Sequence, residues 1–254
     1  MERLEMDFTG RTVLITGAGT GIGRATALAF AAAGASVVIG DVDPRAEGTA
    51  GDIGAAGGKA VFQKTDVSDS AEVKALVARA LSEFGGLDAA FNNAGVLPPT
   101  APLAEQTEED WHRTMNVDVT GVFLCLKHEL AHMAKVGRGA IVNTASVAGL
   151  IADPGMAPYV AAKHAVVGLT RAAAIDYAAR GIRVNALAPG LVRTPMTERW
   201  LNDPQIRDRV LADSPIGRAA EPEDIAGLVL FLASDLAGIV TGAVYPIDGA
   251  RTAH

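Results

Sequence analysis

Short apolar runs alternate with alanine-rich stretches of helical periodicity along the 254-residue chain. The runs are apolar throughout rather than at every second position, which is typical of strands buried on both faces of a parallel sheet. The predicted strands are Thr12–Thr16, Ser36–Gly40, Ala60–Gln63, Leu87–Phe91, Gly139–Thr144, Arg183–Leu187 and Ala243–Pro246. The helical stretches between them include Ile22–Ala33, Ser70–Phe84, Glu108–Val136 and Tyr159–Arg180. This alternation predicts an α/β fold with helices on both faces of a parallel sheet, in one domain over residues 1–254.

Composition and charge narrow the class of protein. Apolar residues make up 49% of the chain, which fits a well-buried globular domain. The formal net charge of −7 disfavours partners such as nucleic acid or an anionic membrane surface. Cys125 is the only cysteine, so neither an intrachain disulfide nor a cysteine-built metal site is expected. The segment from Met1 to Asp7 is acidic and no apolar run reaches membrane-spanning length, so we expect a cytoplasmic protein without a signal peptide.

A glycine-rich loop joins the first predicted strand to the first predicted helix. Its sequence, from Thr16 to Gly23, is T-G-A-G-T-G-I-G. Glycines let the backbone turn sharply and approach a phosphate, while the start of the helix offers free N–H groups and a partial positive charge. A tight turn is the simpler alternative, but the strand–loop–helix context favours dinucleotide binding. The predicted cofactor contacts in this loop are Gly17, Thr20, Gly21, Ile22 and Gly23.

Asp41 follows the second predicted strand, about twenty residues after the glycines. A carboxylate at this place accepts hydrogen bonds from the hydroxyls of an adenosine ribose and repels a 2′-phosphate. Neither Thr20 nor Val42 supplies a positive charge beside it. The sequence therefore favours NAD over NADP, although Asp41 or Asp43 is also placed to cap a helix that begins at Pro44.

The ends of the next two predicted strands also carry polar or turn residues. Asp66 and Val67 follow the third strand, where an adenine ring would lie, although capping of the following helix is an alternative role for this region. Asn92-Asn93-Ala94-Gly95 follows the fourth strand. Asparagine and glycine are ordinary turn residues, but ligands of such folds bind at the carboxyl ends of the strands.

Tyr159 and Lys163 are four residues apart in an alanine-rich helical stretch, so their side chains are predicted to share one helix face. An ammonium group beside a phenol favours the phenolate and lowers the pKa of the tyrosine toward the working range. Ser146, after the fifth predicted strand, is either a turn residue or a donor to the oxygen of a substrate. Asn116 lies inside a predicted helix, where asparagine is a poor helix former; we expect it to bend the helix and bind a water.

His128, Glu129 and His132 form a His-Glu-x-x-His pattern on a predicted helix. This pattern binds zinc in metalloproteases, but it also arises by chance, and a third ligand such as Asp153 would have to come from a distant loop. We therefore predict no metal site. After the sixth predicted strand, the chain runs through Pro189 and Gly190 into a segment over about residues 191–216 that mixes apolar and charged residues. We predict that this segment is a helical flap over the substrate.

Taken together, these motifs resemble those of the short-chain dehydrogenase/reductase family, of its classical type, from about Gly10 to the C-terminus. The resemblance implies a Rossmann-type, doubly wound sheet of seven parallel strands and, in many members, a homotetramer. It implies that Tyr159 is the acid/base, that Lys163 binds the nicotinamide ribose and lowers the tyrosine pKa, and that Ser146 stabilises the reacting oxygen. It further implies that Asn116 holds a water linked to Lys163. The remaining cofactor contacts that it implies are Asp66, Val67, Asn93, Ala94, Gly95, Pro189, Gly190, Val192 and Thr194.

The function implied by the resemblance is hydride transfer between NAD(H) and a secondary alcohol or ketone. There are three alternatives. Asp41 argues against an NADPH-dependent 3-oxoacyl-carrier-protein reductase, and the complete set of catalytic residues argues against a non-catalytic NAD-sensing module. The lack of an evident third zinc ligand argues against a zinc hydrolase. The substrate is predicted to be a modest apolar or cyclic alcohol. The residues predicted to line its site, besides Ser146 and Tyr159, are Leu97, Val147, Met156, Leu191, Met196 and Trp200.

Overall fold

Seven parallel strands form one sheet in a computed structural model that describes residues 6–253. The strands are β1 (Thr12–Thr16), β2 (Ser36–Asp41), β3 (Lys59–Lys64), β4 (Ala89–Asn92), β5 (Gly139–Thr144), β6 (Ile182–Pro189) and β7 (Val244–Ile247). Their order across the sheet is β3-β2-β1-β4-β5-β6-β7. The order reverses between β1 and β4, which is the position where doubly wound sheets bind their ligands. The predicted Rossmann-type, seven-stranded parallel sheet in a single domain is therefore confirmed.

Helices cover both faces of this sheet. Within residues 6–253 the α-helices are α1 (Gly21–Ala32), α2 (Glu47–Ala55), α3 (Ser70–Phe84), α4 (Glu108–Met115), α5 (Gly121–Val136), α6 (Ala157–Tyr177), α7 (Glu198–Asn202), α8 (Pro204–Ala212) and α9 (Pro222–Ala233). None of the helices in this part of the chain is both long and apolar enough to cross a membrane. The prediction that no signal peptide is present concerns residues 1–7, most of which lie outside the described residues.

The core has two halves because successive strand residues point to opposite faces of the sheet. On one face, Val13 and Ile15 of β1 pack with the apolar sides of α1 and α9. On the other face, Leu14 of β1 packs with α3, α5 and α6. Both faces of each inner strand are thus buried, which explains why the strands are apolar throughout. This rigid double layer fixes the carboxyl edge of the sheet, where the strand ends meet.

The long predicted helix over Glu108–Val136 is interrupted. A π-helical segment, Asn116–Thr120, separates α4 from α5. Such π-helical turns are uncommon and are often found at functional sites. The helix is therefore irregular at Asn116, as predicted. The wider π-helical turn rotates the side chains of α5 relative to those of α4, so a different set of positions faces the sheet.

The predicted flap consists of two short helices, α7 and α8, separated by Asp203. The Asp203 carboxylate accepts hydrogen bonds from the backbone N–H groups of Gln205 and Ile206, so it ends one helix and caps the next. The two ends of the segment are paired with each other, because Val192 and Ala220 form an isolated parallel bridge. The helical flap predicted over about 191–216 therefore corresponds to a helical segment with fixed ends; its closure over a substrate stays a prediction.

Candidate active site

A cleft of about 440 Å³ opens along the carboxyl edge of the sheet. It collects loops that are far apart in sequence, because the parallel strands all end at this edge. Most of the residues predicted to bind a cofactor or substrate line it. These are Gly17, Thr20, Gly21, Ile22, Asp41, Asp66, Val67, Asn93, Ala94, Gly95, Ser146, Tyr159, Lys163, Pro189, Gly190, Val192, Thr194 and Met196.

The loop between β1 and α1 requires its glycines. A Cβ added to Gly23 would lie 2.1 Å from the carbonyl oxygen of Gly17, and one added to Gly17 would lie 2.8 Å from the Cα of Ala94. Gly17 also has a φ of +67°, a conformation that residues with side chains rarely adopt. The Asn93 side chain fixes the loop by donating to the carbonyl oxygens of Thr16 and Gly17 at 3.2 and 3.1 Å. The result is a bare backbone surface at the start of a helix, which fits a pyrophosphate.

Asp41 is fixed at the end of β2 with its carboxylate directed into the cleft. One oxygen accepts a hydrogen bond from the backbone N–H of Gly19, and the other accepts one from the N–H of Asp43, both at 2.9 Å. The alternative capping role belongs to Asp43, whose carboxylate accepts from the N–H of Arg45. Arg45 pairs with Asp43 rather than with Asp41. Asp41 is therefore free to present its charge to a ribose.

Asp66 and Val67 lie at the end of the cleft beyond β3. The Asp66 carboxylate accepts hydrogen bonds from the backbone N–H and the hydroxyl of Ser68, so it orders its own turn. The residue that caps α3 is Asp69, which accepts from the N–H groups of Ala71 and Glu72. The capping alternative considered for Asp66 thus does not hold, and this residue remains available to contact an adenine ring.

Tyr159, in the first turns of α6, faces Ser146 at the end of β5. The Ser146 hydroxyl accepts a hydrogen bond from the N–H of Ala148 at 3.2 Å, which orients the serine toward the cleft. Burial raises the pKa of the Tyr159 phenol above its ordinary value; Lys163 acts to lower it, whereas Asp118 raises it and Ser146 lowers it. The net direction is upward, opposite to the direction predicted from the Tyr159–Lys163 pair alone, because burial and a second charge outweigh the ammonium.

The Nζ of Lys163 lies 5.2 Å from the centre of the Tyr159 ring, so the two side chains share one face of α6 as predicted. Nζ donates a hydrogen bond to the carbonyl oxygen of Thr144 at 3.1 Å. It also lies 3.1 Å from a carboxylate oxygen of Asp118, whose other oxygen accepts from the N–H of Val96 at 2.8 Å. Burial lowers the pKa of Lys163, but the charges of Asp118 and Tyr159 reverse this and leave the lysine pKa raised.

Asp118 is the site residue that the sequence reasoning missed, and Asn116 is the one that it placed wrongly. Asn116 is exposed and does not line the cleft, whereas Asp118 has no exposed surface. Side chains two positions apart on a helix point about 200° away from each other, so Asn116 and Asp118 cannot both face Lys163. The available signal was the buried stripe itself: Thr114, Asp118, Val122 and Cys125 recur at intervals of three or four residues, and Asn116 lies off this stripe.

The predicted substrate residues are only partly brought together. Met196 lines the same cleft as Ser146 and Tyr159. Val147 is a core residue with 4% exposure. The residues among the predicted set that do not line the cleft are Leu97, Val147, Met156, Leu191 and Trp200. Residues of the cleft that the sequence reasoning did not select include Val96, Arg113, Val117, Pro195 and Thr197.

The His-Glu-x-x-His pattern on α5 is not arranged as a metal site. The Nε2 of His128 lies 3.0 Å from the hydroxyl of Ser70 on α3. Glu129, the next residue, is fully buried, and its carboxylate accepts a hydrogen bond from the Nδ2 of Asn92 at 3.1 Å. Over residues 6–253, no group of three or more His, Cys, Asp or Glu side chains is placed to hold a metal ion.

Known proteins share this chain's sequence and structure over nearly its whole length. A family model described as enoyl-(acyl carrier protein) reductase matches residues 17–251. The chain is 47% identical over 249 residues to 2,5-dichloro-2,5-cyclohexadiene-1,4-diol dehydrogenase of Sphingobium indicum, covering 97% of this chain and 99% of that protein. It is 44% identical over 246 residues to cyclohexanol dehydrogenase of an Acinetobacter species, with 96% of each covered.

Solved structures agree with these matches. The crystal structure of levodione reductase superposes with a TM-score of 0.94 and 40% sequence identity, over 97% of this chain and 99% of that one. Two further structures, with TM-scores of 0.93 and 0.91, hold NADP, in one of them at low occupancy. The similarity therefore extends to the whole fold, and nicotinamide coenzymes occur among the structures that resemble it.

Proposed function

Because the chain belongs to the short-chain dehydrogenase/reductase family, we propose that it interconverts a cyclic secondary alcohol and its ketone with NAD(H) as coenzyme. Oxidoreduction at a CH–OH group follows from the dehydrogenases among its relatives. The coenzyme and the substrate class are our proposal. The observation that carries it is the placement of Ser146, Tyr159 and Lys163 at the edge of one cleft that also contains the glycine loop and Asp41.

The chain's own residues would manage the proton of the reaction. A bound nicotinamide ring supplies the carbon that accepts or donates hydride. In oxidation, the Tyr159 phenolate takes the proton of the substrate hydroxyl, and in reduction the phenol returns a proton to the carbonyl oxygen. The Ser146 hydroxyl donates a hydrogen bond to that same oxygen. Lys163 places its positive charge near the Tyr159 ring, which favours the phenolate when the proton is removed.

NAD rather than NADP is supported by the charge at the end of β2. The Asp41 carboxylate is held by Gly19 and Asp43 and cannot turn away from an incoming ribose without losing both hydrogen bonds. A 2′-phosphate at this place would meet a fixed negative charge. The nearest arginine in sequence, Arg45, is paired with Asp43 and does not offset that charge. The same argument disfavours the alternative of an NADPH-dependent 3-oxoacyl-carrier-protein reductase.

A cyclic alcohol is supported by the relatives rather than by the cleft alone. Two of them are named for cyclohexane or cyclohexadiene alcohols and match over 96–97% of this chain. The cleft is compatible with such a substrate, since Met196, Val96 and Pro195 add apolar surface to the cleft that also contains Ser146 and Tyr159. We also propose, from the family, a homotetramer in the cytoplasm.

The test is an assay of cyclohexanol and other secondary alcohols with NAD and with NADP, followed through the absorbance of the reduced coenzyme. We expect NAD-dependent oxidation of cyclic alcohols, and a loss of at least about 100-fold in kcat/KM in Tyr159→Phe, which lacks the proton-transferring hydroxyl. Tyr177→Phe, a change at a distant tyrosine on the same helix, is the matched control. Near wild-type turnover by Tyr159→Phe would refute the mechanism, and binding of NAD without any turnover would favour the NAD-sensing alternative.

A further inference from the structure

Asp118 is a buried carboxyl group next to the catalytic residues. The residue has no exposed surface, and its two carboxylate oxygens contact Lys163 Nζ and the N–H of Val96 at 3.1 and 2.8 Å. A Cβ added to Gly95 would come within 3.2 Å of the same carboxylate. The loop after β4 therefore closes over the carboxylate, and the π-helical segment directs it inward. Lys163 is thus not an isolated cation but one half of a buried ion pair.

The charged groups around this pair are few and can be named. From α6, Tyr159 and Lys163 face Asp118, and Ser146 adds a hydroxyl from the end of β5. In the described part of the chain, no other charged side chain alters the pKa of Asp118, Lys163 or Tyr159. With the phenol protonated, one positive and one negative charge balance. With the phenol deprotonated, the three groups carry a net charge of −1 beside the buried pair of Asp118 and Lys163, which disfavours the phenolate.

We infer that Asp118 is a positioning residue that offsets the charge of Lys163 and holds Tyr159 in its protonated form, so that it determines the pH range in which this tyrosine serves as a base. The inference deepens the proposed function and rests on it for its catalytic meaning. Its physical content, the titration of Tyr159, does not require a substrate. An uncharged residue at position 118 would leave the lysine charge unopposed and release the phenolic proton at a lower pH.

The experiment is a titration of tyrosine absorbance in the free protein. The chain has three tyrosines, so the Tyr159 transition is the one that disappears in Tyr159→Phe. In Asp118→Asn, whose amide still accepts the Val96 hydrogen bond, we expect this transition about one to two pH units below that of the wild type. We expect the pH profile of kcat/KM for alcohol oxidation to move in the same direction. Asp176→Asn removes the same charge from an exposed position on α6 and is expected to leave both midpoints in place.

Each result decides the matter. An unchanged Tyr159 midpoint in folded Asp118→Asn would overturn the inference, as would a wild-type midpoint near pH 7. Should Asp118→Asn fail to fold, the wild-type measurement still tests the inference: we expect a midpoint above the ordinary value for tyrosine, and a midpoint below that value would overturn it. A shifted midpoint together with a wild type that oxidises no alcohol would support the role of Asp118 and refute the proposed function.

Discussion

Glu129 offers a sharp test of the buried charges in this fold, through the pH dependence of stability. It lies on α5 with no exposed surface, and its carboxylate accepts one hydrogen bond, from Asn92 Nδ2 at 3.1 Å. Its other oxygen has no hydrogen-bond partner among the described residues, and neither has the side-chain oxygen of Asn92. Burial therefore raises the pKa of Glu129 from 4.5 to about 7, and the Asn92 hydrogen bond opposes this only in part.

The raised pKa sets the sign and the size of the effect. Below pH 4.5, Glu129 is protonated in both the folded and the unfolded chain, so its ionisation does not lower the free energy of unfolding there. Between pH 4.5 and about 7 the unfolded chain loses its proton first, and the free energy of unfolding falls as pH rises. A difference of about 2.5 pH units, at about 1.36 kcal/mol each, amounts to about 3 kcal/mol by neutral pH.

Glu129→Gln removes this dependence because an amide does not ionise. We expect the variant to match the wild type near pH 4.5 and to exceed it by about 3 kcal/mol above pH 7, measured by urea unfolding at a fixed protein concentration between pH 4.5 and 8. Glu105→Gln, at an exposed position, is the control and is expected to change stability little at any pH. A difference between Glu129→Gln and wild type that stays constant with pH, or a variant less stable at pH 8, would refute the reasoning.

Two further predictions concern the coenzyme. Asp41→Ala is expected to lower the ratio of kcat/KM with NAD to that with NADP by about tenfold or more, since the charge that opposes a 2′-phosphate is gone; an unchanged ratio would contradict the assignment of Asp41. Gly23→Ala places a Cβ where the Gly17 carbonyl oxygen lies, so we expect coenzyme binding, followed by fluorescence of NADH, to be lost. Gly48→Ala, where a Cβ meets nothing within 4 Å, is its control and is expected to bind normally.

The sequence predicted the strands and the cleft well because both depend on local signals. Continuous apolar runs identify strands buried on both faces, and each of the seven predicted strands overlaps an observed one. Parallel strands bring their carboxyl ends to one edge, so Asp41, Asn93 and Ser146 could be placed together without knowledge of their contacts. The boundaries moved by at most two residues at each end, as at β4, because hydrogen bonding rather than hydrophobicity decides where a strand stops.

The prediction failed at Asn116, because the sequence alone does not show which of two nearby polar residues faces the interior. Asn116 and Asp118 are separated by one residue, and the π-helical segment changes the phase of the helix between them. Asn116 was chosen because asparagine is a poor helix former, a criterion that takes no account of which helix face is buried. The partner, Lys163, comes from α6, forty-five residues further along the chain, and only the packed structure shows that it meets Asp118. Trp200 was predicted to line the substrate site but does not line the cleft, because its position depends on how α7 packs.

The two buried carboxylates of the π-helical segment and α5 therefore have different consequences. Burial raises the pKa of Asp118 and the charge of Lys163 opposes that rise, and the carboxylate in turn raises the pKa of Tyr159. Among residues 6–253 Glu129 forms no ion pair, so its proton equilibrium changes the stability of the fold instead. Asn92, its one hydrogen-bond donor in the described part of the chain, precedes Asn93, the asparagine that holds the glycine loop. Loss of the Glu129 proton as the pH rises toward about 7 thus leaves an unbalanced charge beside the residue that precedes Asn93, so Glu129→Gln is expected to stabilise the protein most above about pH 7.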